Sequence, residues 1–207
     1  FVAGDGRVVD TGNGGVSHSE GQGYGMHLAQ AAGDRAVFDR IWRWAEQHLA
    51  VRDDPLFAWR WDPASPARPV ADRNSAADGD ILIAWALVRA ALGWGPASYL
   101  ERARQLAEAV RLALIHRAGS ETILLPGPEG FVRPDGPVIN LSYWVFPALR
   151  ALAAIDPAPE WAALEGSGLR LLGKLRFGRR ALPADWTLLA ATPEPAPGFP
   201  ATFGYNA

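Results

Sequence analysis

Apolar residues recur every three or four positions along much of this 207-residue chain, the spacing that buries one face of a helix. Residues 19–32 open with Ser19 at an N-cap position and Gln22 three residues later, a capping box that predicts a helix with Glu20 in its first turn. Val37, Phe38, Ile41, Ala45 and Leu49 predict a second helix over 34–50. A third is predicted over 78–92, with Ile81, Ala84, Leu87, Val88 and Ala91 inward, stopping at Gly93-Trp94-Gly95-Pro96. Leu100, Ala103, Leu106, Ala107, Val110 and Leu114 form the stripe of a fourth over 97–117. A fifth, over 142–155, contains Pro147 and so is kinked or starts late. The sixth covers 158–175, interrupted by Gly166 and Gly168.

Between these lie two irregular stretches. In 51–74, Pro55, Pro63, Pro66 and Pro69 forbid a continuous helix, and the stretch carries Trp59 and Trp61. Residues 120–136 are rich in Pro and Gly and suit a short hairpin. Short turns alternating with long aromatic-bearing loops predict an all-α architecture of paired helices around an axis, with functional residues on the loop side. No fixed repeat period is visible, which disfavours a solenoid. The chain reads as one domain over 1–207, cut short at its C-terminal end, because Phe203-Gly204-Tyr205-Asn206 reads as the opening of another helix.

Composition narrows the ligand. A net charge of -2 gives no electrostatic case for nucleic acid or an anionic membrane. The absence of cysteine excludes disulfides and thiolate chemistry. No run of ~20 apolar residues exists that would insert into a bilayer. Nine Trp is a high count, and indoles placed in loops suit the flat faces of sugar rings, although core filling is the better explanation for any single one.

Two segments carry candidate chemistry. Ser19-Glu20-Gly21-Gln22-Gly23-Tyr24-Gly25-Met26 places three glycines in one helical pattern, each costing roughly 1 kcal/mol relative to Ala. Close approach of backbone or ligand would offset that cost and leave Glu20 facing a partly dry cavity that raises its pKa, as a proton donor needs. The plain alternative is a solvated carboxylate at a helix N-terminus. In Ala76-Ala77-Asp78-Gly79-Asp80, two carboxylates flank one glycine; N-capping by Asp78 explains one polar group but not all of them. Gly21-x-Gly23-x-Gly25 is not a dinucleotide fingerprint, and neither a Walker motif nor a serine-hydrolase elbow is present. His18, His27, His48 and His116 lack paired ligand spacing, so no metal is expected.

These two segments resemble glycoside hydrolase family 8, most closely the bacterial endoglucanases (cellulases) associated with cellulose synthesis. Asp78-Gly79-Asp80-Ile81-Leu82-Ile83-Ala84 is similar to the family's signature helix, with Ala77 where Ser or Thr is usual. Asn140-Leu141-Ser142-Tyr143-Trp144 and Leu182-Pro183-Ala184-Asp185-Trp186 resemble two further segments less strictly. The resemblance implies an (α/α)6 barrel, or toroid, incomplete in this chain. It implies cofactor-free, inverting hydrolysis of β-1,4-glucan, with Glu20 as general acid and Asp78 holding or distorting the sugar. Tyr24, Trp59, Trp61, Tyr143, Trp144 and Tyr205 would bind substrate. It further implies a periplasmic or secreted location and association with the cellulose synthesis machinery.

Asn206 is the largest departure. In the family's cellulase branch an Asp follows the Phe-Gly-Tyr segment as the water-activating base, and an amide cannot accept that proton. Inversion needs a second carboxylate roughly 6.5–9.5 Å from the acid. The base was exchanged, has moved to another loop, with Glu129 and Asp135 as weak candidates, or is lost. Rival readings are therefore a relative acting on chitosan, xylan or mixed-linkage glucan, and a catalytically weak glucan-binding protein.

Overall fold

The structure, a computed structural model, describes residues 1–199. A two-residue strand β1 (Ser17–His18) leads directly into helix α1 (Ser19–Ala31), and a short turn connects to α2 (Arg35–His48). Asp34 caps α2 by accepting from Val37 N at 2.9 Å. The long loop that follows holds β2 (Arg60–Trp61), which pairs antiparallel with β1, and it ends at α3 (Ala77–Trp94). Gly95, at φ 87°, closes α3 in the left-handed conformation that a residue with a Cβ seldom adopts, and Pro96 leads into α4 (Ala97–Leu114). The backbone then becomes extended, as β3 (Ile115–Ala118) and β4 (Glu121–Leu124) form a hairpin. Strands β5 (Val132–Arg133) and β6 (Gly136–Asn140) make a second hairpin. A 3-10 turn (Leu141–Tyr143) precedes α5 (Phe146–Ile155) and α6 (Pro159–Lys174), and β7 (Trp186–Leu188) and β8 (Glu194–Pro195) extend the second hairpin to the order β5-β6-β7-β8.

Short turns make antiparallel neighbours of α1 and α2, of α3 and α4, and of α5 and α6. Helix α3 packs against α1 on one side and α5 on the other, so the odd-numbered helices form an inner row. Their N-termini all face the end that carries the long loops. Helix α3 is buried on nearly every side, consistent with its almost continuous apolar run, whereas α2 buries only Phe38, Ile41, Trp44 and Ala45. One core draws residues from all six helices, with Trp44, Trp161 and Phe38 among its fully buried side chains. Each such side chain contributes roughly 2–3 kcal/mol. A smaller core of Val138, Trp186, Leu188 and Ala196 lies on the four-stranded sheet. Among the described residues no helix is long and apolar enough to cross a membrane.

Several local expectations are corrected. His18, not Ser19, is the N-cap of α1, and no side chain caps it; Gln22 instead turns to the N-terminal segment, where its amide donates to Val8 O at 3.2 Å. The fourth helix stops at Leu114, three residues short of the expected end, because the chain enters the β3–β4 hairpin. Pro147 marks a late start rather than a kink: α5 begins at Phe146. Helix α6 is continuous through both glycines, and Gly168 makes room for an indole, since a Cβ there would lie 2.6 Å from Trp144 Nε1.

Candidate active site

Helices α1 and α3 meet at their first turns with almost nothing between them. A Cβ on Gly79 would lie 2.7 Å from Ser19 Cβ and 2.8 Å from Glu20 N, and a Cβ on Gly23 would lie 2.6 Å from Leu82 Cβ. Gly25 is equally crowded, by Val8, whereas Gly21 meets only an ordinary contact. Close approach of the α3 backbone accounts for the conformational cost of Gly23, and packing of the Val8 and Ile41 side chains for that of Gly25. Its result is that Glu20 and Asp78, each the second residue of its helix, open into one cleft.

That cleft has a volume of about 470 Å³. The start of α1 supplies His18, Glu20 and Tyr24; the loop before α3 supplies Trp59, Asp72 and Asn74, and α3 itself Asp78. The opposite wall is Phe131, Asn140, Ser142, Tyr143, Trp186 and Phe199. Trp186, Phe131 and Phe199 form a cluster of near-parallel rings, Trp186 lying 5.8 Å from Phe131 and 4.4 Å from Phe199 between centroids, and Tyr143 meets Trp186 edge-on. A larger hollow of about 740 Å³ lies between the β3–β4 hairpin and the end of α6. Its carboxylate, Glu121, is bound by Arg170 at 2.8 Å and Lys174 at 3.0 Å. Hydrogen bonds from Arg170 hold Glu121 at about 2, so it has no proton to give near neutrality. The smaller cleft, which holds Glu20 and Asp78, is the candidate site.

Asp78 is only 6% exposed. Burial, followed by the charge of neighbouring Glu20, pushes its pKa well above the usual carboxylate value, against the pull of the Gly79 N–H that it accepts at 2.8 Å. Asp78 does not cap α3. Ala76 holds that position, and Ala77 N donates to Pro126 O at 2.8 Å. Glu20 is half-buried and accepts a hydrogen bond from the Tyr24 hydroxyl, whose pKa rises through burial and then through the charge of Glu20. The drier member of the pair is thus Asp78, where the sequence pointed to Glu20. The charge of Glu20 opposes ionisation of Asp78, so Asp78 keeps its proton to higher pH than an isolated carboxyl would.

Of the expected substrate contacts, Tyr24, Trp59 and Tyr143 line the cleft. Trp61 does not: it packs edge-on against Trp44 and His48, beneath the Arg7 guanidinium. Trp144 is a core residue, 3% exposed, whose Nε1 donates to Leu164 O at 3.2 Å. Glu129 and Asp135 are exposed and do not line the cleft. Tyr205 and Asn206 lie outside the described residues. His18, Asp72, Phe131, Asn140, Ser142, Trp186 and Phe199 were not anticipated; only Asn140, Ser142 and Trp186 lay in segments already singled out. Among the described residues no group of three or more His, Asp or Glu is placed to hold a metal ion.

A paired-helix framework with two coupled carboxyls and aromatic walls at the loop end is that of the all-α toroids. The sequence profile of Glycosyl hydrolases family 8 matches residues 1–207, and the chain belongs to that family. It is 40% identical to an endoglucanase of Cellulomonas uda, over 100% of this chain and 58% of that protein. A probable endoglucanase of Novacetimonas hansenii is 41% identical, over 100% and 61%. Among solved structures, a GH8 endo-beta-1,4-glucanase from an Achatina fulica gut metagenomic library superposes with a TM-score of 0.93 at 44% identity, covering 97% of this chain and 64% of that one. The chain therefore spans about 60% of the length of these relatives, and its six helices are part of the toroid.

Proposed function

We propose that this chain belongs to an inverting endo-β-1,4-glucanase in which Glu20 protonates the glycosidic oxygen. The observation that carries the proposal is that Glu20 and Asp78, the latter raised well above the usual carboxylate range by burial and by the charge of Glu20, open into one cleft walled by Trp59, Tyr143 and Trp186. Glu20 is the more accessible partner and delivers the proton to the leaving group. Asp78, held by the first-turn N–H of α3, holds or distorts the sugar at the bond being cut. Water then attacks the opposite face of the anomeric carbon and gives its proton to a second carboxylate, the base that the Asn206→Asp variant below locates. The names of the relatives support a β-glucan substrate; a periplasmic or secreted location and association with cellulose synthesis are further parts of the proposal, resting on the sequence resemblance alone.

The test is reducing-sugar release from carboxymethyl-cellulose, with the anomer of the first product followed by NMR. Glu20→Gln is expected to lower turnover by at least about 100-fold while glucan binding persists. Asn206→Asp separates the fates of the base. A large gain in turnover assigns the base to position 206; an unchanged, substantial rate assigns it to another carboxylate. Binding without turnover in the unmodified protein would replace the enzyme reading with that of a glucan-binding protein.

A further inference from the structure

Trp59 is held from four directions. Its indole Nε1 donates to Asp72 Oδ2 at 2.9 Å, and its ring lies nearly parallel to His18, 5.6 Å away with a 12° tilt. Its backbone N donates to Asn74 O at 2.9 Å, and its carbonyl accepts from Ser19 N at 3.0 Å. The last bond ties the indole's residue to the first turn of α1, next to Glu20. Asp72 is in turn fixed, because its Oδ1 accepts from Asn74 N at 2.9 Å. Asn74 is anchored across the cleft mouth by Nδ2, which donates to Glu129 O at 3.0 Å. Exposed Trp side chains ordinarily leave the indole N–H to water; here a carboxylate takes it at the cleft wall.

We infer that Asp72 is a positioning residue that locks the Trp59 indole against His18 as a rigid wall, in register with the acid-bearing turn of α1, for stacking of a sugar ring. Its Oδ2 takes the indole N–H and its Oδ1 the Asn74 N–H, so its effect on a bound sugar is exerted through Trp59. An anionic acceptor on the N–H also leaves the indole face richer in electrons, which favours the weakly positive C–H groups of a pyranose. The inference rests on the glucan reading above for the identity of the ligand, but the anchoring itself does not.

The experiment compares Asp72→Ala, Asp72→Asn and Trp59→Phe, with the double variant Trp59→Phe/Asp72→Ala. Asp72→Ala is expected to raise KM for cellohexaose about fivefold with kcat within about twofold, the scale of one lost charge-assisted hydrogen bond at a partly wet site. Asp72→Asn, whose amide oxygen still accepts from the indole, restores most of the loss. In the Trp59→Phe background, Asp72→Ala adds nothing. A collapse of kcat at unchanged KM, or an Asp72→Ala effect that persists without the indole, overturns the inference. Fluorine NMR of fluorotryptophan-labelled protein gives an answer without substrate, Trp59 being the signal lost in Trp59→Phe. Asp72→Ala should shift or broaden that signal and Asp72→Asn should not; an unmoved signal refutes the anchoring whatever the activity. A moved signal in a protein that neither binds nor cleaves glucan refutes the glucan reading alone.

Discussion

Asp78 and Asp80 sit one glycine apart in the first turn of α3, yet they face opposite sides of it. Two residues on a helix are separated by about 200° of rotation, so only one of them can look into the cleft. Asp78 does, and it meets Glu20. Asp80 points back into the protein, is fully buried, and accepts from Phe57 N at 2.8 Å, pinning the beginning of the loop that carries Trp59. Burial raises both, Asp80 to about 7. A like charge across a cleft assists at Asp78, whereas the Phe57 N–H opposes the rise at Asp80. Similar pKa shifts therefore arise at a carboxyl that faces the cleft and at a structural anchor, and geometry alone distinguishes them.

Substitution separates the two roles. The largest effect is expected from Asp78→Asn, with turnover on carboxymethyl-cellulose falling by at least about 100-fold and thermal stability retained or raised. A variant that keeps full turnover would strip Asp78 of its role. Gly79→Ala comes next, because its methyl group would collide with Ser19 and wedge the two helices apart; it should cost about 1–3 kcal/mol in urea unfolding and reduce turnover through the displaced pair.

Asp80→Asn should have the smallest effect, and one confined to stability. A carboxyl whose folded pKa exceeds its unfolded value stabilises fully below the unfolded value, and that contribution is lost as pH rises toward and through the folded value. For Asp80 the window runs from the model-peptide value of 3.8 to about 7. The asparagine oxygen can still accept from Phe57 N. The unmodified protein and the variant should thus unfold at the most similar urea concentrations near pH ~3.5, with the variant increasingly ahead as pH rises to ~8. A variant that is weaker at both pH values would show that the negative charge itself is needed.

The six helices were legible because each buries a stripe with the helical period, and the glycines in α1 signalled close packing before any partner was known. The cap at Ser19 was not, because Gln22 found a partner in Val8, fourteen residues upstream. Strands of two to five residues in the β5–β8 sheet are too short to show alternation, so the wall bearing Trp186 could not be foreseen as a sheet. Trp61 and Trp144 show the limit for aromatics: an indole in a loop reads the same whether it faces the cleft, like Trp59, or fills the core, like Trp144. Asp72 was invisible for a related reason, since the indole that defines its role lies thirteen residues away along the chain.

The contact between α1 and α3 at Gly79 has a consequence for how the pair keeps its spacing. A side chain at Gly79 would strike the Ser19 side chain and Glu20 N, so the spacing of the two first turns depends on there being no carbon at that point. A gauge of this kind tolerates many exchanges farther along either helix, and a single added carbon at its zero point throws it off.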